Sequence, residues 1–312
     1  MDLTVIVCTY NRLESLKRLV AGFDACKQPG RITWELLIIN NNSTDGTDGY
    51  LSELVESSRH LRSADEPLQG LSHSRNRGIM EAAGRFLFFM DDDAAPDGDF
   101  LCSIERALQS YVDARCFGVK VISHFPQKPD WFAIDGPFAL TGILGIYDLG
   151  ESDRILTSAD PHPLGSGILI EKGLIGEVGC FDTNLGVKEG VKYPSRGEDT
   201  DLMDRLRTGG TAIYYLANTV VNHYPDLLRY NLSHLKKMYI GSGLGLARDH
   251  IDNCTRIFGV PRYLYKHTLG CLLRAVCWHM RGRGDAAVYY RTRYWLALGM
   301  IMWNLGLHRE DE

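Results

Sequence analysis

The sequence lacks several features that would set it apart from ordinary globular proteins. It has no run of 18 apolar residues, the length that a membrane-spanning helix needs. It has no internal repeat or low-complexity tract, and its hydrophobic (45%) and charged (23%) fractions are close to globular averages. Disordered, collagen-like and coiled-coil proteins are thereby excluded. A chain of 312 residues suffices for one large α/β domain with an appendage or for two compact domains.

Disulfide and export signals are also missing. The eight cysteines include no C-x-x-C pair and form no small secreted framework, so we expect reduced thiols. A strand-like stretch begins at Leu3, without the charged and apolar regions of a signal peptide. We therefore expect a cytoplasmic protein, at most attached to the cytosolic face of a membrane.

Charge is unevenly distributed along the chain, although the net value is only −5. Residues 1–228 hold 21 Lys and Arg against 33 Asp and Glu, a net charge of −12, whereas residues 229–312 hold 13 against 6, a net charge of +7. Such asymmetry predicts two regions with different partners, the basic one facing something anionic. We expect one domain over residues 1–225 and a basic, mainly helical region over residues 226–312.

The first half alternates short apolar runs with helical patterns. Strands are predicted at Leu3–Thr9, Glu35–Ile39 and Arg85–Met90, and helices at Arg12–Phe23, up to Val55, and at Ser72–Ala83. This alternation indicates a parallel sheet covered by helices on both faces. Beyond Pro225, helices are predicted at Leu227–Asp252, Leu264–Arg281 and Asp285–Leu307.

Three polar loops follow predicted strands, where open α/β sheets bind their ligands. They are Thr9-Tyr10-Asn11, Asn40–Asp45 and Asp91–Asp93. Because adjacent carboxylates repel one another, the aspartate triplet favours a hard divalent cation such as Mg²⁺ or Mn²⁺, which brings phosphate oxygens with it. The alternative is a solvated acidic turn in which Asp93 or Asp97 caps the next helix.

Six short motifs follow one another over about residues 3–225. They are V-I-V-C-T-Y-N-R (Val5–Arg12), L-L-I-I-N-N-N-S-T-D-G-T (Leu36–Thr47), G-L-S-H-S-R-N-R-G-I (Gly70–Ile79), G-R-F-L-F-F-M-D-D-D (Gly84–Asp93), V-G-C-F-D (Val178–Asp182) and G-E-D-T-D-L-M-D-R-L (Gly197–Leu206). Together they resemble the family 2 glycosyltransferases of GT-A fold, a Rossmann-like, mostly parallel sheet flanked by helices. A helical C-terminal appendage would follow that domain here.

The resemblance implies inverting transfer of a sugar from a nucleotide-diphosphate sugar, with UDP-sugars favoured, to an acceptor hydroxyl. It further implies Mn²⁺ or Mg²⁺ as cofactor and a glycan or lipid-linked acceptor in cell-surface polysaccharide or glycolipid synthesis. No nucleic-acid partner is expected. The sequence is compatible with a monomer or an oligomer.

The same resemblance assigns the donor site to the three loops. Thr9 matches a nucleoside-contacting position, and Asn40 replaces the usual aspartate that accepts a hydrogen bond from the base, which leaves the base less determined. Arg75 matches an arginine near the nucleotide and the metal-site aspartates. The expected donor-binding residues are Thr9, Asn11, Asn40, Asn42, Asp45, Arg75, Asp91 and Asp92. Structural alternatives are a turn residue at Thr9, a helix cap at Asp45 and a surface arginine at Arg75.

Metal and catalytic roles follow from the later motifs. Asp93 matches a direct metal ligand, Asp91 a ribose contact or a ligand through water, and His223 a ligand beside the diphosphate. Asp199 matches the general base, which takes the proton of the acceptor hydroxyl, and Glu198 orients the acceptor or the site. The alternatives are carboxylates favoured by a helix dipole at Glu198 and Asp199, and a structural histidine at His223.

Two other functions are weighed against this one. A sugar-phosphate nucleotidyltransferase shares the architecture and the metal, but the first loop (Cys8–Arg12) has no glycine. A non-catalytic sugar-nucleotide-binding protein is favoured slightly by Asn40 and disfavoured by Asp91, Asp93 and Asp199.

The basic region offers two interpretations. Amphipathic helices are predicted at Leu264–Arg281 and around the apolar run Tyr294–Trp303. Residues 264–307 can therefore contact an anionic membrane surface. The alternative is packing on the catalytic domain or on another subunit. The stretch Gly241–Gly245 follows a helical pattern and predicts a helix break or close packing rather than a phosphate loop.

Overall fold

The computed structural model describes residues 1–125, 127–142, 144–187, 190–193, 197–226, 231–249 and 254–307. The chain forms two compact units. The first comprises Met1–His124, Gly145–Thr183 and Glu198–Pro225, and the second comprises Phe125–Leu144, Asn184–Gly197 and Asp226–Glu312. The second unit thus begins its last segment where the sequence suggests a boundary, and it also includes two earlier segments.

The first unit is an α/β sandwich. Its elements are β1 (Leu3–Thr9), α1 (Leu13–Asp24), β2 (Trp34–Asn40), α2 (Thr47–Ser57), β3 (Leu61–Asp65), α3 (Leu71–Glu81), β4 (Phe86–Asp91), β5 (Ala94–Pro96), α4 (Phe100–Ser110), β6 (Cys116–Ser123), β7 (Arg154–Ile155), β8 (Ile168–Glu171), α5 (Lys172–Val178), α6 (Glu198–Thr208) and β9 (Ile213–His223).

One nine-stranded sheet runs through this unit in the order β3-β2-β1-β4-β8-β6-β9-β5, with β7 on β9. Strands β1 to β4 pair in parallel, β6 pairs in parallel with β9, and β8 is antiparallel to both of its neighbours. Residues of both faces are buried along β1, β2 and β4, as expected for strands covered by helices on each side. The predicted mostly parallel α/β sheet is confirmed.

Strand register brings distant polar residues to one edge of the sheet. Thr9 pairs with Asn40, and Cys8 pairs with Asp91, so all three predicted loops leave from adjacent strand ends. On the other side, Ser123 and Ala94 both pair with His223, from β6 and β5 respectively. His223 thereby lies next to the end of the aspartate triplet, 130 positions further along the chain than Asp93.

The second unit is mainly helical over its last segment. It contains α7 (Leu232–Asp249), the strands β10 (Arg256–Ile257) and β11 (Val260–Pro261) of a short hairpin, α8 (Arg262–Met280) and α9 (Gly284–Asn304). Helix α9 packs against both α7 and α8. The three predicted helices are present, although 227–230 and 250–252 lie outside the described residues. Within the described ranges, no helix combines the length and apolar character needed to cross a bilayer.

The glycine-rich stretch in α7 serves close helix packing. A Cβ atom on Gly243 would lie 2.1 Å from the carbonyl oxygen of Leu296, and one on Gly299 would lie 2.1 Å from that of Ile240. Helices α7 and α9 therefore cross with their backbones in contact. The predicted helix break is wrong, because α7 continues through Gly243, whereas the alternative of close packing is correct.

Gly243→Ala is expected to lower the free energy of unfolding by about 1–3 kcal/mol, because the new methyl group meets backbone that cannot rotate away. The matched control is Gly270→Ala in α8, where a Cβ would meet nothing within 4 Å. That substitution should raise stability by about 0.5–1 kcal/mol through the unfolded state. Urea unfolding of the two variants measures both effects, and equal stabilities would contradict the close crossing.

Candidate functional site

The aspartate triplet is buried and paired with a cation from the first loop. Asp92 and Asp93 are 6% and 3% exposed. Nη1 of Arg12 lies 3.1 Å from Asp92 Oδ1 and 2.7 Å from Asp93 Oδ2, and the Thr9 hydroxyl donates to Asp92 Oδ2 at 2.9 Å. The alternative of a solvated turn is therefore wrong for Asp92 and Asp93, whereas Asp97 accepts from the Asp99 amide at 3.0 Å just before α4. Likewise, Thr9 is the buried last residue of β1 rather than an ordinary turn residue.

Asp92, the middle aspartate of the triplet, is held by contacts with the protein itself. Burial raises the pKa of Asp92 to about 7, although Arg12 and the Thr9 hydroxyl act in the opposite direction. Burial alone would lower the pKa of Arg12, but Asp92 and Asp93 raise it overall, so the guanidinium stays charged. Asp92 thus anchors the first loop to the triplet through Thr9 and Arg12.

His223 lies at the other end of the triplet, with its ring fixed from behind. Nε2 of His223 is 3.2 Å from Asp93 Oδ1, and Nδ1 is 2.8 Å from the Ser123 hydroxyl. That hydroxyl donates its proton to the Gly145 carbonyl at 2.9 Å, so it must accept from Nδ1–H of His223. With Nδ1–H donated to Ser123, Nε2 is the ring nitrogen that faces Asp93 Oδ1, so these two atoms can share a cation.

Close approach of the backbone also restricts the His223 ring. Gly145 has φ of +69°. A Cβ atom there would lie 2.5 Å from His223 Nδ1. A larger residue at position 145 would displace the imidazole from Asp93.

The donor atoms of Asp93 and His223 fit a metal ion that arrives with a phosphate. Two adjacent ligands about 2.1 Å from an octahedral Mg²⁺ lie about 3 Å apart, close to the 3.2 Å between Asp93 Oδ1 and His223 Nε2. Among the described residues, no group of three His, Cys, Asp or Glu could hold a metal. A site with one or two protein ligands is the arrangement that Mg²⁺ uses when substrate phosphates complete its coordination.

Arg75 connects the triplet to the start of α6. It lies in α3, is 4% exposed, and its Nη1 and Nη2 are 2.8 Å from Glu198 Oε1 and 3.4 Å from Asp91 Oδ1. Burial alone would lower the pKa of Arg75, but Glu198, Asp91 and Asp199 together raise it. A Cβ on Gly165 would lie 2.5 Å from Nη2, so glycine there makes room for the guanidinium. The alternative of a surface arginine is wrong.

Asp199 is held at the start of α6 by two backbone donors. Its Oδ2 accepts from the Gly165 amide at 3.0 Å, and its Oδ1 accepts from the Thr200 amide at 2.8 Å. Asp199 is partly exposed, whereas Glu198 is buried on Arg75. The helix dipole favours both carboxylates, and the partly exposed one can also meet a substrate.

The second loop uses its polar side chains to hold its own shape. Asn40 accepts from the Ser43 amide through Oδ1 and donates through Nδ2 to Asp48 and, at 3.4 Å, to Asp65. Asn42 donates to the Pro67 carbonyl at 2.7 Å.

Asn11 and Asp45 tie the first and second loops together. Asn11 accepts from the Thr44 amide at 2.7 Å through Oδ1. Asp45 accepts from the Leu13 amide at 2.9 Å and from the Thr47 hydroxyl at 2.6 Å. It therefore meets the starts of α1 and α2, in keeping with the predicted helix cap.

The structure brings part of the predicted set into two connected groups, one around Asp93 and His223 and one around Arg75, Asp91 and Glu198. Four other predicted donor-binding residues, from the first two loops, hydrogen-bond within or next to those loops: Asn11, Asn40, Asn42 and Asp45. Sequence reasoning missed four residues of these groups: Arg12, Ser123, Gly145 and Gly165. Arg12 could have been found, because it is the basic residue of the first loop and a buried acidic triplet needs a cation. The other three carry no local signal.

Residues 4–134 match the family model described as glycosyl transferase family 2. The glucosyl-dolichyl phosphate glucuronosyltransferase of Haloferax volcanii is 24% identical over 227 residues, 72% of this chain and 69% of the relative. The succinoglycan biosynthesis protein ExoM of Rhizobium meliloti is 24% identical over 245 residues, 78% of this chain and 73% of the relative.

Solved structures share the fold over nearly the whole chain. The mannosyltransferase PcManGT from Pyrobaculum calidifontis, in complex with GDP-Man and Mn²⁺, is 16% identical with a TM-score of 0.61, covering 100% of this chain and 88% of that one. TarS of S. aureus, in complex with UDP-GlcNAc, is 14% identical with a TM-score of 0.57, covering 98% and 92%. The chain therefore has the GT-A fold of these structures, and its residues 4–134 are similar to glycosyl transferase family 2.

Proposed function

We propose that this glycosyltransferase is metal-dependent and inverting, and that it moves a sugar from a nucleotide-diphosphate sugar to a hydroxyl of a glycan or lipid-linked acceptor. The observation that carries the proposal is the 3.2 Å approach of His223 Nε2 to Asp93 Oδ1, with the Nδ1 proton committed to Ser123. Asp93 and His223 would hold Mn²⁺ or Mg²⁺, which when bound supplies positive charge for the departing diphosphate.

The transfer itself uses the carboxylate of Asp199. The acceptor oxygen forms a bond to the anomeric carbon as the bond from that carbon to the diphosphate oxygen breaks, and the acceptor proton passes to Asp199. The Gly165 and Thr200 amides hold Asp199 in place for this step. Glu198 keeps Arg75 charged and oriented beside Asp91, where its planar donors suit phosphate or ribose oxygens.

UDP-sugars are the first donors to test, and GDP-mannose is the matched alternative. Relatives of this chain act in glycolipid or polysaccharide synthesis. The favoured acceptor class is therefore a cell-surface glycan that is glycosylated on the cytosolic side. Nucleotidyl transfer is disfavoured as the activity, because residues 4–134 match a model of glycosyl transferases.

A thermal-shift screen of UDP- and GDP-sugars with and without Mn²⁺ tests donor and metal together. A donor at about 100 times its Kd adds about 2.7 kcal/mol of stability, which should raise Tm by about 4 °C. We expect the rise only with Mn²⁺ present, and we expect Asp93→Asn to lose it. Slow Mn²⁺-dependent hydrolysis of the donor distinguishes an enzyme from a binding protein without activity, because the binding protein would not hydrolyse the donor.

Ser123→Ala is expected to weaken Mn²⁺ affinity about 10- to 100-fold, because the hydroxyl fixes the His223 tautomer. Mn²⁺ titration followed by electron paramagnetic resonance gives this affinity without any turnover. Ser123→Thr keeps the hydroxyl and should retain most of the affinity. Unchanged Mn²⁺ binding by Ser123→Ala would contradict the assigned role of His223.

A further inference from the structure

An aromatic side chain stands at the tip of the β10–β11 hairpin in the second unit. Phe258 is 88% exposed, with φ of +50°, and the following Gly259 has φ of +80°. Two successive residues with positive φ form the type I′ turn, which Asn-Gly fits best and a bulky residue disfavours. Backbone strain of this kind concentrates at functional positions.

The hairpin is fixed to the two helices that follow it. Nη1 of Arg256 donates to the Gly259 carbonyl at 2.9 Å and to Asn304 Oδ1 at 2.6 Å. The Tyr265 hydroxyl donates to the Ile257 carbonyl at 3.2 Å. Phe258 is thus presented to solvent on a braced hairpin.

Helix α8 carries an exposed apolar stripe beginning next to this hairpin. Its buried residues Leu264, Cys271 and Ala275 face the interior of the unit. Another face exposes apolar side chains at spacings of three and four residues: Tyr265, Leu269, Leu272, Leu273, Val276 and Met280, between 37% and 76% exposed. We call Phe258 and these six residues the α8 surface.

The segment that carries the α8 surface is rich in positive charge and has no negative charge in its sequence. Between Asp252 and Asp285 the chain has six Lys and Arg and no Asp or Glu. Five of these cations, at positions 256, 262, 266, 274 and 281, have no carboxylate within ion-pairing distance among the described residues. Arg283 is the exception, since it pairs with Asp285 at 2.7 Å.

We propose that the α8 surface docks on an anionic lipid bilayer, with Phe258 and the apolar stripe entering the headgroup region and the cations meeting lipid phosphates. Exposed apolar residues flanked by unpaired cations are the pattern of helices that lie in a membrane interface. A second copy of the chain fits less well, because a symmetric pair would bring the same cations face to face.

This surface differs from the one expected from sequence. Residues 294–303 lie in α9 and are at least partly buried, so the predicted contact over 264–307 contracts to α8 and gains the hairpin. Lipid binding by the α8 surface is independent of donor binding, metal binding and sugar transfer.

Vesicle flotation of the full-length protein tests the proposal. Vesicles of phosphatidylcholine with about one third phosphatidylglycerol are compared with phosphatidylcholine alone, at low and high salt. We expect binding to the anionic vesicles, weakened by salt because the cations lie at the surface. Equal binding to both vesicle types, or none to either, would overturn the proposal.

Phe258→Asn separates docking from folding, because asparagine suits the turn better than phenylalanine does. We expect loss of flotation with no fall in melting temperature, and the same for Leu273→Ser. Val112→Ser is the matched control, since Val112 is 72% exposed in the first unit. Full retention of flotation by Phe258→Asn and Leu273→Ser together would refute the surface.

Charge is tested in the same assay. Lys266→Gln should lower the vesicle partition coefficient about fivefold, the effect of one cation near an anionic surface. Arg59→Gln, at an exposed arginine of the first unit, should leave it unchanged. Sedimentation velocity without lipid completes the test, because a dimer abolished by Leu273→Ser would assign the surface to self-association instead.

Discussion

Asp199→Asn is expected to reduce sugar transfer by about 100- to 10,000-fold, because the amide cannot take the proton of the acceptor hydroxyl. Donor binding should be unchanged, since Asp199 accepts from the backbone amides of Gly165 and Thr200 and is not one of the two proposed metal ligands. The asparagine can still accept one of those two amide hydrogens through its carbonyl oxygen, so the helix start keeps a cap. Transfer rates and the donor-induced rise in Tm are measured on the same preparations.

The matched control for this variant is Asp201→Asn, on the same first turn of α6. Asp201 pairs with Arg205 at 2.8 Å and has no contact with the Asp93–His223 pair or with Arg75 among the described residues. It should keep near-wild-type turnover. If Asp199→Asn also turned over at the wild-type rate, the general base would have to be another group.

Arg75→Leu is expected to lower the free energy of unfolding by about 3–5 kcal/mol, because it leaves the buried carboxylate of Glu198 without its cation. Glu198→Leu should be similarly costly. The double variant should be more stable than the sum of the two losses predicts, since it buries no uncompensated charge at that pair. Urea unfolding of the four proteins gives the coupling energy.

An exposed ion pair serves as the comparison. Arg106 and Asp99 lie on the surface of α4 and its start, with side chains 56% and 36% exposed. Arg106→Ala should cost less than about 1 kcal/mol, because solvent already screens the pair. Strictly additive losses for Arg75→Leu and Glu198→Leu would show that the two side chains do not stabilise each other.

The strands that sequence predicts best are those with continuous apolar runs. Strands β1, β2 and β4 are buried on both faces, so their sequences are apolar with few interruptions and end at polar loops. The sequence does not predict strand β3, because it is an edge strand in which Leu61 alone is buried. The sequence suggests a strand at Thr211–Leu216 leading to another stretch at Val220–His223. The structure joins them in the single strand β9, which continues through a register shift opposite Val119 and Lys120.

Residue types alone determined much of the candidate site. Repulsion among three consecutive carboxylates favours a cation nearby, and the ends of parallel strands must lie at one edge of the sheet. Asp91, Asp93 and Thr9 can therefore be assigned to one site from the sequence alone. The family resemblance added Arg75, Asp199 and His223, whose roles in this chain are still predictions.

Only the tertiary structure decided which of these residues meet. Ser123, Gly145 and Asp93 converge on His223 because β5 and β6 both pair with β9, and no local pattern encodes pairing across a hundred residues. The basic region shows the same division. Sequence determined its charge and its helical periodicity, but the packing of α9 against α7 and α8 decided that the apolar face left in solvent belongs to α8. Periodicity identifies an apolar face, whereas burial depends on which neighbour reaches it first.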